Sequence, residues 1–561
     1  MYSTLKHVAS RRWLALVGAV AALAVAAAGC GGSSKHGAAS GQTSATTASS
    51  SARSFPELRV AWPAIDHLDP ALSYGGGFTI VYGVYASLLS YRHANGPDGT
   101  ELVPALAEAL PKISTDGRTY TFTLRDGLHY SDGRPIKASD VRYGIERLFR
   151  VNSPGVGFYS GIEGADAFAK HPDAGHISGI AVDDAARTVT FRLTQPSGDF
   201  LSVIALPFAA PVPTGTPAKD QSTSPIPASG PYRIVSYDPS RSFVLERNPR
   251  YTAVDGVPAG NARRVTGTIV GDPSRAVELA IDDKVDWDAN DVPADRIADL
   301  QRTHANQLKP YEPSDTQMFF MNERLKPFND VRVRQAVNYA IDRDVFVKLA
   351  GGLATPTQNM LPPTYPSYRR IDYYTHDVAR ARRLVADAGA TGTQVRVLGN
   401  SGDAFSRKAV TYLADVLQQI GLRPEIKLLD ASVYFDAEGS PQTKANIGWT
   451  PWYHDYPHPL DWFGVMVDGS VIRNTGNTNY SFVNIPALNQ EIARLRGKSQ
   501  LTPEVNAAWA ELDRKTIVDE AAYAPFANLL KANLFGPRVD TSCTINLSVF
   551  RFDWTTACVK P

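Results

Sequence analysis

The N-terminal segment decides which part of this chain can fold at all. Lys6, Arg11 and Arg12 precede an uninterrupted Ala/Leu/Val/Gly run from Leu14 to Ala28, and Ala27-Ala28-Gly29-Cys30 closes it. A basic start, a short apolar stretch and small residues at a cleavage point describe a secretion signal. The run is about 15 residues, short of the roughly 20 that a helix needs to cross a bilayer comfortably. From Gly31 to Ser54 the chain is almost entirely Gly, Ser, Ala and Thr. Such a composition buries too little surface to offset the entropy of ordering, so it is read as a flexible tether. Folding is therefore expected to begin near Leu58.

The Gly29-Cys30 ending resembles a bacterial lipobox, in which the cysteine receives lipid and becomes the mature N-terminus. An ordinary signal peptide with an incidental cysteine is the alternative. On the lipoprotein reading, residues 1–29 are the signal peptide and residues 30–55 are lipidated Cys30 with its linker. The body then works outside the cytoplasm, anchored through lipid to the outer face of the cell membrane or lying in the periplasmic space. Ser10-Arg11-Arg12-Trp13-Leu14 also resembles a twin-arginine export motif, which leaves the export route open.

At 561 residues the chain exceeds a single core and should hold two or three domains. Lysine plus arginine total 57 against 56 aspartates and glutamates. No global basic field exists to attract nucleic acid, and no nucleic-acid partner is expected. The three cysteines are Cys30, Cys543 and Cys558, without any Cys-x-x-Cys pair for zinc or redox chemistry. In an exported chain Cys543 and Cys558 are expected to form a disulfide that staples the C-terminal tail.

Beyond Leu58 strand and helix patterns alternate. Leu58 to Trp62 reads as a first strand. Thr119 to Leu124 puts Tyr120, Phe122 and Leu124 on one face and three threonines on the other. A helix follows with Val141, Ile145, Leu148 and Phe149 aligned. A hairpin is expected between Ile180 and Leu193, and a proline-rich crossover from Pro207 to Pro231. Asp330 reads as an N-cap before a helix with Val333, Ala336, Val337, Ala340 and Ile341 on its apolar face. Gln394 to Leu398, Ala404 to Ile420 and Glu425 to Leu429 form a βαβ unit. The pattern is that of a mixed α/β protein with more than one lobe.

The stretch LAEALPKISTDGRTYTFTLRDGLHYSDGRPIKASDV, Leu106 to Val141, closely resembles the signature region of family 5 extracellular solute-binding proteins, the oligopeptide- and dipeptide-binding class of bacterial ABC importers. Further landmarks stand in the family's order: LDP at Leu68–Pro70, SGPYRI at Ser229–Ile234, LERNPRY at Leu245–Tyr251, PFNDVRVRQAVNYAIDRD at Pro327–Asp344 and WYHDYPHPLDWF at Trp452–Phe463. Together they cover nearly everything after Leu58. Lys137 departs from the family's helix-capping threonine, and Ser139 is expected to cap instead. The arginines of Pro327–Asp344 are read as a solvated or lobe-capping face.

The resemblance implies a two-lobed periplasmic-binding-protein-like α/β fold (class II) with an additional third domain, closing about a hinge. Domain I would comprise residues 58–95, 228–312 and 528–561, domain II residues 96–227, and domain III residues 313–527. It further implies a monomeric receptor that captures peptides and hands them to ABC permease subunits driven by separate ATPases, with no cofactor. The alternative within the fold is a non-peptide solute such as a sugar, a nickel chelate or haem. A ligand-sensing or chaperone-like lipoprotein without a transporter is a third reading. An enzyme is not expected: there is no Gly-x-Ser-x-Gly, no His-Glu-x-x-His, and Ile492 stands where a phosphate loop ending at Gly497-Lys498-Ser499 needs glycine.

The richest candidate site is Trp449, Trp452, Tyr453, His454, Asp455 and Tyr456, where a carboxylate stands among aromatic side chains. In peptide-binding family members an aspartate in a Trp-x-x-Asp-Tyr context meets the ligand's amino terminus, and Trp452-x-x-Asp455-Tyr456 matches that spacing. Trp449 also follows a glycine, as the family tryptophan does, so either tryptophan can be its equivalent. A loop that merely packs aromatics is the bland alternative. His454 and His458 do not read as metal ligands, because Pro457 and Pro459 forbid the helix that would align them. Tyr74, Gly75 and Gly76 lie where the resemblance places ligand against backbone, with a flexible loop as the alternative.

Overall fold

The computed structural model describes residues 56–312, 314–547 and 552–560. The export signal, Cys30 and the tether lie outside the described residues. Period-two patterning gives three larger sheets of different construction, beside a two-stranded pair of Leu89–Tyr91 and Leu102–Pro104. The first strand, Glu57–Trp62, is central to a seven-stranded mixed sheet. It pairs in parallel with Arg264–Ile269 and Trp287–Asp288, and the sheet continues through Ser242–Arg247 and Tyr232–Asp238 on one side. On the other side stand Lys531–Phe535 and Leu308–Tyr311. Leu58, Val60 and Trp62 anchor the core beneath it.

The strand Thr119–Thr123 buries Tyr120 and Phe122 while its threonines stay half-exposed. It belongs to a four-stranded antiparallel sheet with Lys112–Ile113, Thr188–Arg192 and Ile180–Asp183. The helix Ala138–Arg150 covers this sheet with Val141, Ile145 and Leu148 fully buried. Its start corrects the sequence reading. Lys137, not Ser139, is the N-cap residue, and the Asp140 carboxylate reaches back to the Lys137 N–H at 3.1 Å. Ser139 instead bonds Asp184 across to the hairpin.

The third sheet has six strands, in the order Ala354–Pro356, Tyr523–Leu529, Asp315–Met321, Ile447–Tyr453, Gln394–Asn400 and Arg423–Leu429. The expected βαβ unit is present: Gln394–Asn400 and Arg423–Leu429 are parallel, joined by helix Ala404–Gln419. Asp330 caps helix Val331–Ala340 by accepting the Arg332 N–H at 2.9 Å. The arginines of this segment divide. Arg332 is exposed, but Arg334 and Arg343 are buried, contrary to the solvated face expected for them. Arg334 donates to the carbonyls of Glu520 and Phe328, and Arg343 to those of Pro525 and Thr357. Their long side chains reach past the polar edge of the helix and satisfy carbonyls before strand Tyr523–Leu529, at Glu520, and within it, at Pro525.

The chain passes between the seven- and six-stranded sheets twice, after Tyr311 and after Leu529. The two passages run side by side: Asn528 Nδ2 donates to the Asp315 carbonyl at 2.6 Å and to Thr316 Oγ1 at 3.0 Å. The LDP landmark is a fastener. Asp69 and Arg147, both fully buried, form a two-pronged pair at 2.7 and 2.6 Å. Gln221 N–H also donates to Asp69, and Arg147 to the carbonyls of Pro217 and Lys219, so the proline-rich crossover is tied to both. Cys543 and Cys558 are bonded, with Cα atoms 6.3 Å apart.

Candidate functional site

Strand Ile447–Tyr453 sends alternate side chains to opposite faces, and this separates the candidate residues. Trp449 is buried, and its indole N–H donates to Gln317 Oε1 at 3.0 Å. Tyr453, on the same face, is 47% exposed, with its ring 5.9 Å from the Lys531 ammonium nitrogen. Trp452 points the other way, toward Asp461. Pro457 and Pro459 then forbid further ladder pairing, and the chain turns into helix Leu460–Met466 with Asp461 in its first turn.

That turn aims Asp455. Its backbone N–H donates to Asp461 Oδ2 at 2.8 Å, and its half-buried side chain accepts a hydrogen bond from the Tyr74 hydroxyl. Burial pushes the Asp455 carboxyl up to about 6 despite the opposing Tyr74 bond. Burial and the neighbouring Asp455 charge raise Asp461 well above the usual carboxylate range. Tyr456 reaches away and donates to Asp199 Oδ2 at 2.7 Å, its ring packed into the core under the four-stranded sheet.

Around this carboxylate stands an aromatic wall drawn from distant parts of the chain. Tyr74 lies with ring centroids 6.3 Å from Phe158 and 5.8 Å from Phe208, and Phe158 lies 6.1 Å from Tyr456. Behind the turn, the Trp462 indole can only donate, so the Tyr365 hydroxyl oxygen accepts it at 2.9 Å. The Tyr365 hydroxyl also lies 2.7 Å from His454 Nδ1. Burial pushes His458 down to about 4, and its Nδ1 accepts the Leu460 N–H at 3.1 Å. His454 is thus engaged by Tyr365 and His458 by the start of the following helix.

The glycines beside Tyr74 shape the opposite bank. Asp66 gathers the N–H groups of Tyr74, Gly75 and Gly77 at 2.8, 2.7 and 2.8 Å. Burial alone would raise Asp66, but these donors hold it below its ordinary value. A Cβ on Gly76 would stand 2.0 Å from the Ala64 carbonyl oxygen, so only glycine fits there. Gly75 and Gly76 therefore set the path of the loop that presents Tyr74.

The structure brings Asp455, Trp452, His454, Tyr456 and Tyr74 into one junction, while Trp449 and Tyr453 face the other side of their strand. Sequence reasoning missed Asp461, Asp199, Tyr365, Phe158 and Phe208. Asp461 stands inside the WYHDYPHPLDWF landmark and was visible there as a second carboxylate. Asp199 and the two phenylalanines carry no local signal.

Comparison with known proteins agrees with this architecture. The family model described as "Bacterial extracellular solute-binding proteins, family 5 Middle" matches residues 101–473. The Dipeptide-binding protein of Escherichia coli K12 is 31% identical over 413 residues, covering 68% of this chain and 73% of its own. The Periplasmic oligopeptide-binding protein OppA of Salmonella typhimurium is 24% identical, covering 74% and 78%. Among solved structures, Clavulanic acid biosynthesis oligopeptide binding protein 2 superposes with a TM-score of 0.82 at 27% identity, over 91% of this chain and 96% of that one. The Helicobacter pylori binding protein DppA in complex with the peptide STSA shares the fold, with a TM-score of 0.68 at 21% identity over 91% and 99%. The mixed α/β sheets, the double passage between them and a match that spans most of the sequence lead to one assignment: this chain belongs to the family 5 bacterial extracellular solute-binding proteins.

Proposed function

We propose that this chain is the exported receptor of an ABC importer that captures peptides and delivers them to membrane permeases. The relatives are named for binding oligopeptides and dipeptides, and they are binding proteins rather than enzymes. The observation that carries the reading to this chain is Asp455. It is a carboxylate held among aromatic rings at the junction of three sheets, bonded to a tyrosine from the far side, with no lysine or arginine among the described residues perturbing it. A peptide ammonium entering such a place finds a fixed anion in a partly desolvated setting, where an unpaired charge on either side would be costly.

In this reading residues 58–95, 228–312 and 528–561 form domain I around the seven-stranded sheet. Residues 96–227 form domain II and residues 313–527 form domain III around the six-stranded sheet. Domain III closes against the other two about the paired passages after Tyr311 and after Leu529, in the manner of hinge-closing receptors. Tyr74–Asp455 and Tyr456–Asp199 are contacts of the closed form. The receptor acts as a monomer tethered through lipidated Cys30, and its partners are permease subunits with separate ATPases. Native mass spectrometry of protein purified without denaturation tests the ligand class. The expected result is a set of co-purified masses resolving to short peptides. A single mass belonging to a sugar, metal chelate or tetrapyrrole would contradict it.

A further inference from the structure

Asp455 does not act alone at its end of the site. Asp461 is 2% exposed, projects from the first turn of helix Leu460–Met466, and accepts the Asp455 backbone N–H at 2.8 Å. The ionisable groups facing this pair are Asp199, Tyr91, Tyr365, Tyr456 and Tyr74, with His454 on Tyr365 and His458, which burial keeps neutral. Among the described residues Arg496 acts on His458, and it is itself paired with Asp468 at 2.9 Å. A buried and a half-buried carboxylate, with no lysine or arginine among the described residues beside them, cannot both ionise cheaply.

We propose that Asp461 is the second carboxylate of the ammonium site: it positions Asp455, and it releases its proton to solvent when a cationic ligand docks. Capture and proton release are then linked. The proposal rests on the reading of Asp455 as the contact for a ligand ammonium. In the empty site Asp455 ionises first and Asp461 keeps its proton, which agrees with their directions of shift. An ammonium beside Asp455 replaces the missing counter-charge, so Asp461 can now ionise. Its affinity for protons is lower in the complex than in the free receptor. Peptide affinity therefore rises with pH across the window between those two states, and falls as acid reprotonates the pair.

The test is calorimetric titration of trialanine into the full receptor, in buffers of different ionisation heat, between about pH 5 and about pH 8. Wild type should release up to about one proton near pH 7, where Asp455 is already ionised, and its affinity should keep climbing above about pH 6. Asp461→Asn keeps an oxygen to accept the Asp455 N–H but has no proton to give. It should show no release near neutrality and a flat affinity above about pH 6.5, close to wild type at the acid end of the range and falling progressively behind it as pH rises. Equal proton release in wild type and D461N overturns the proposal and points to His454 instead. Absence of release in wild type overturns it as well. Infrared difference spectra of wild type give a reading that needs no variant: a protonated carboxyl C=O band should vanish on peptide addition, and its persistence would count against the proposal. If N-acetylated trialanine binds wild type as tightly as the free amine, the underlying reading of Asp455 fails, which is a distinct result.

Discussion

Closure across the junction should depend on one residue that never needs to touch ligand. Gly198 N–H donates to the Arg496 carbonyl at 2.7 Å, joining the loop after strand Thr188–Arg192 to the C-terminal end of helix Pro486–Arg496. A Cβ built on Gly198 would stand 2.2 Å from the Lys498 carbonyl oxygen, 3.1 Å from its carbon and 3.3 Å from the Arg496 oxygen. The backbones must separate by about an ångström to relieve that contact, which breaks the hydrogen bond. Overpacking of this kind costs about 1–3 kcal/mol and the lost bond about 0.5–1.5 kcal/mol. Because the two segments come from opposite sides of the proposed hinge, the open form is spared. Gly198→Ala should therefore weaken peptide binding by about 2–4 kcal/mol, which is about 30- to 700-fold. The melting temperature of the unliganded protein should barely move. Calorimetry gives the affinity, and small-angle scattering should show less contraction on ligand addition than in wild type. Affinity within about twofold of wild type would refute the reasoning. A large fall in unliganded melting temperature would mean the contact is permanent packing rather than closure.

Three further outcomes follow from contacts or motifs already described. Asp69→Ala strands the fully buried Arg147 guanidinium and should cost about 3–5 kcal/mol in urea unfolding; a loss under about 1 kcal/mol would mean water reaches the pair. Replacing Cys543 and Cys558 together by serine should cost about 3 kcal/mol through the entropy of the unbridged tail, seen as a lower thermal midpoint that reductant reproduces in wild type. Cys30→Ser should leave the exported protein unprocessed or released from membranes, and unchanged mass and fractionation would remove the lipid anchor from the account.

Features that depend on neighbours in sequence were legible before any coordinates. The alternation at Thr119–Leu124, the Asp330 cap and the βαβ unit are all local patterns, and each appears where its residues required. Long-range partners were not legible. Tyr456 meets Asp199 at a sequence separation of 257, and nothing near Asp199 marks it as the acceptor. Helical periodicity placed Arg334 on a polar side, yet its side chain is long enough to reach the Glu520 carbonyl 186 residues away. At the helix start near Lys137 the capping signal came from the third helical position, Asp140, rather than from the expected serine. In the candidate site the Trp452-x-x-Asp455-Tyr456 spacing located the turn correctly. The closeness of Trp449 and Tyr453 to Trp452 in sequence misled, because a strand sends residues at odd separations to opposite faces.

Peptide capture turns on whether Asp455 binds a ligand's amino terminus. The most direct measurement is a cycle of two receptors and two ligands, wild type and Asp455→Ala against a free-amino tripeptide and its N-acetylated form, by calorimetry near pH 7.5, well above the about 6 to which burial raises Asp455. Removing one partner of a desolvated charge pair should cost about 2–5 kcal/mol. Asp455→Ala should therefore weaken the free-amino peptide at least about tenfold. The acetylated peptide should bind wild type poorly and lose little more in the variant. Equal losses for both ligands would make Asp455 a structural residue of its turn, and equal wild-type affinity for both would show that the receptor does not recognise an amino terminus.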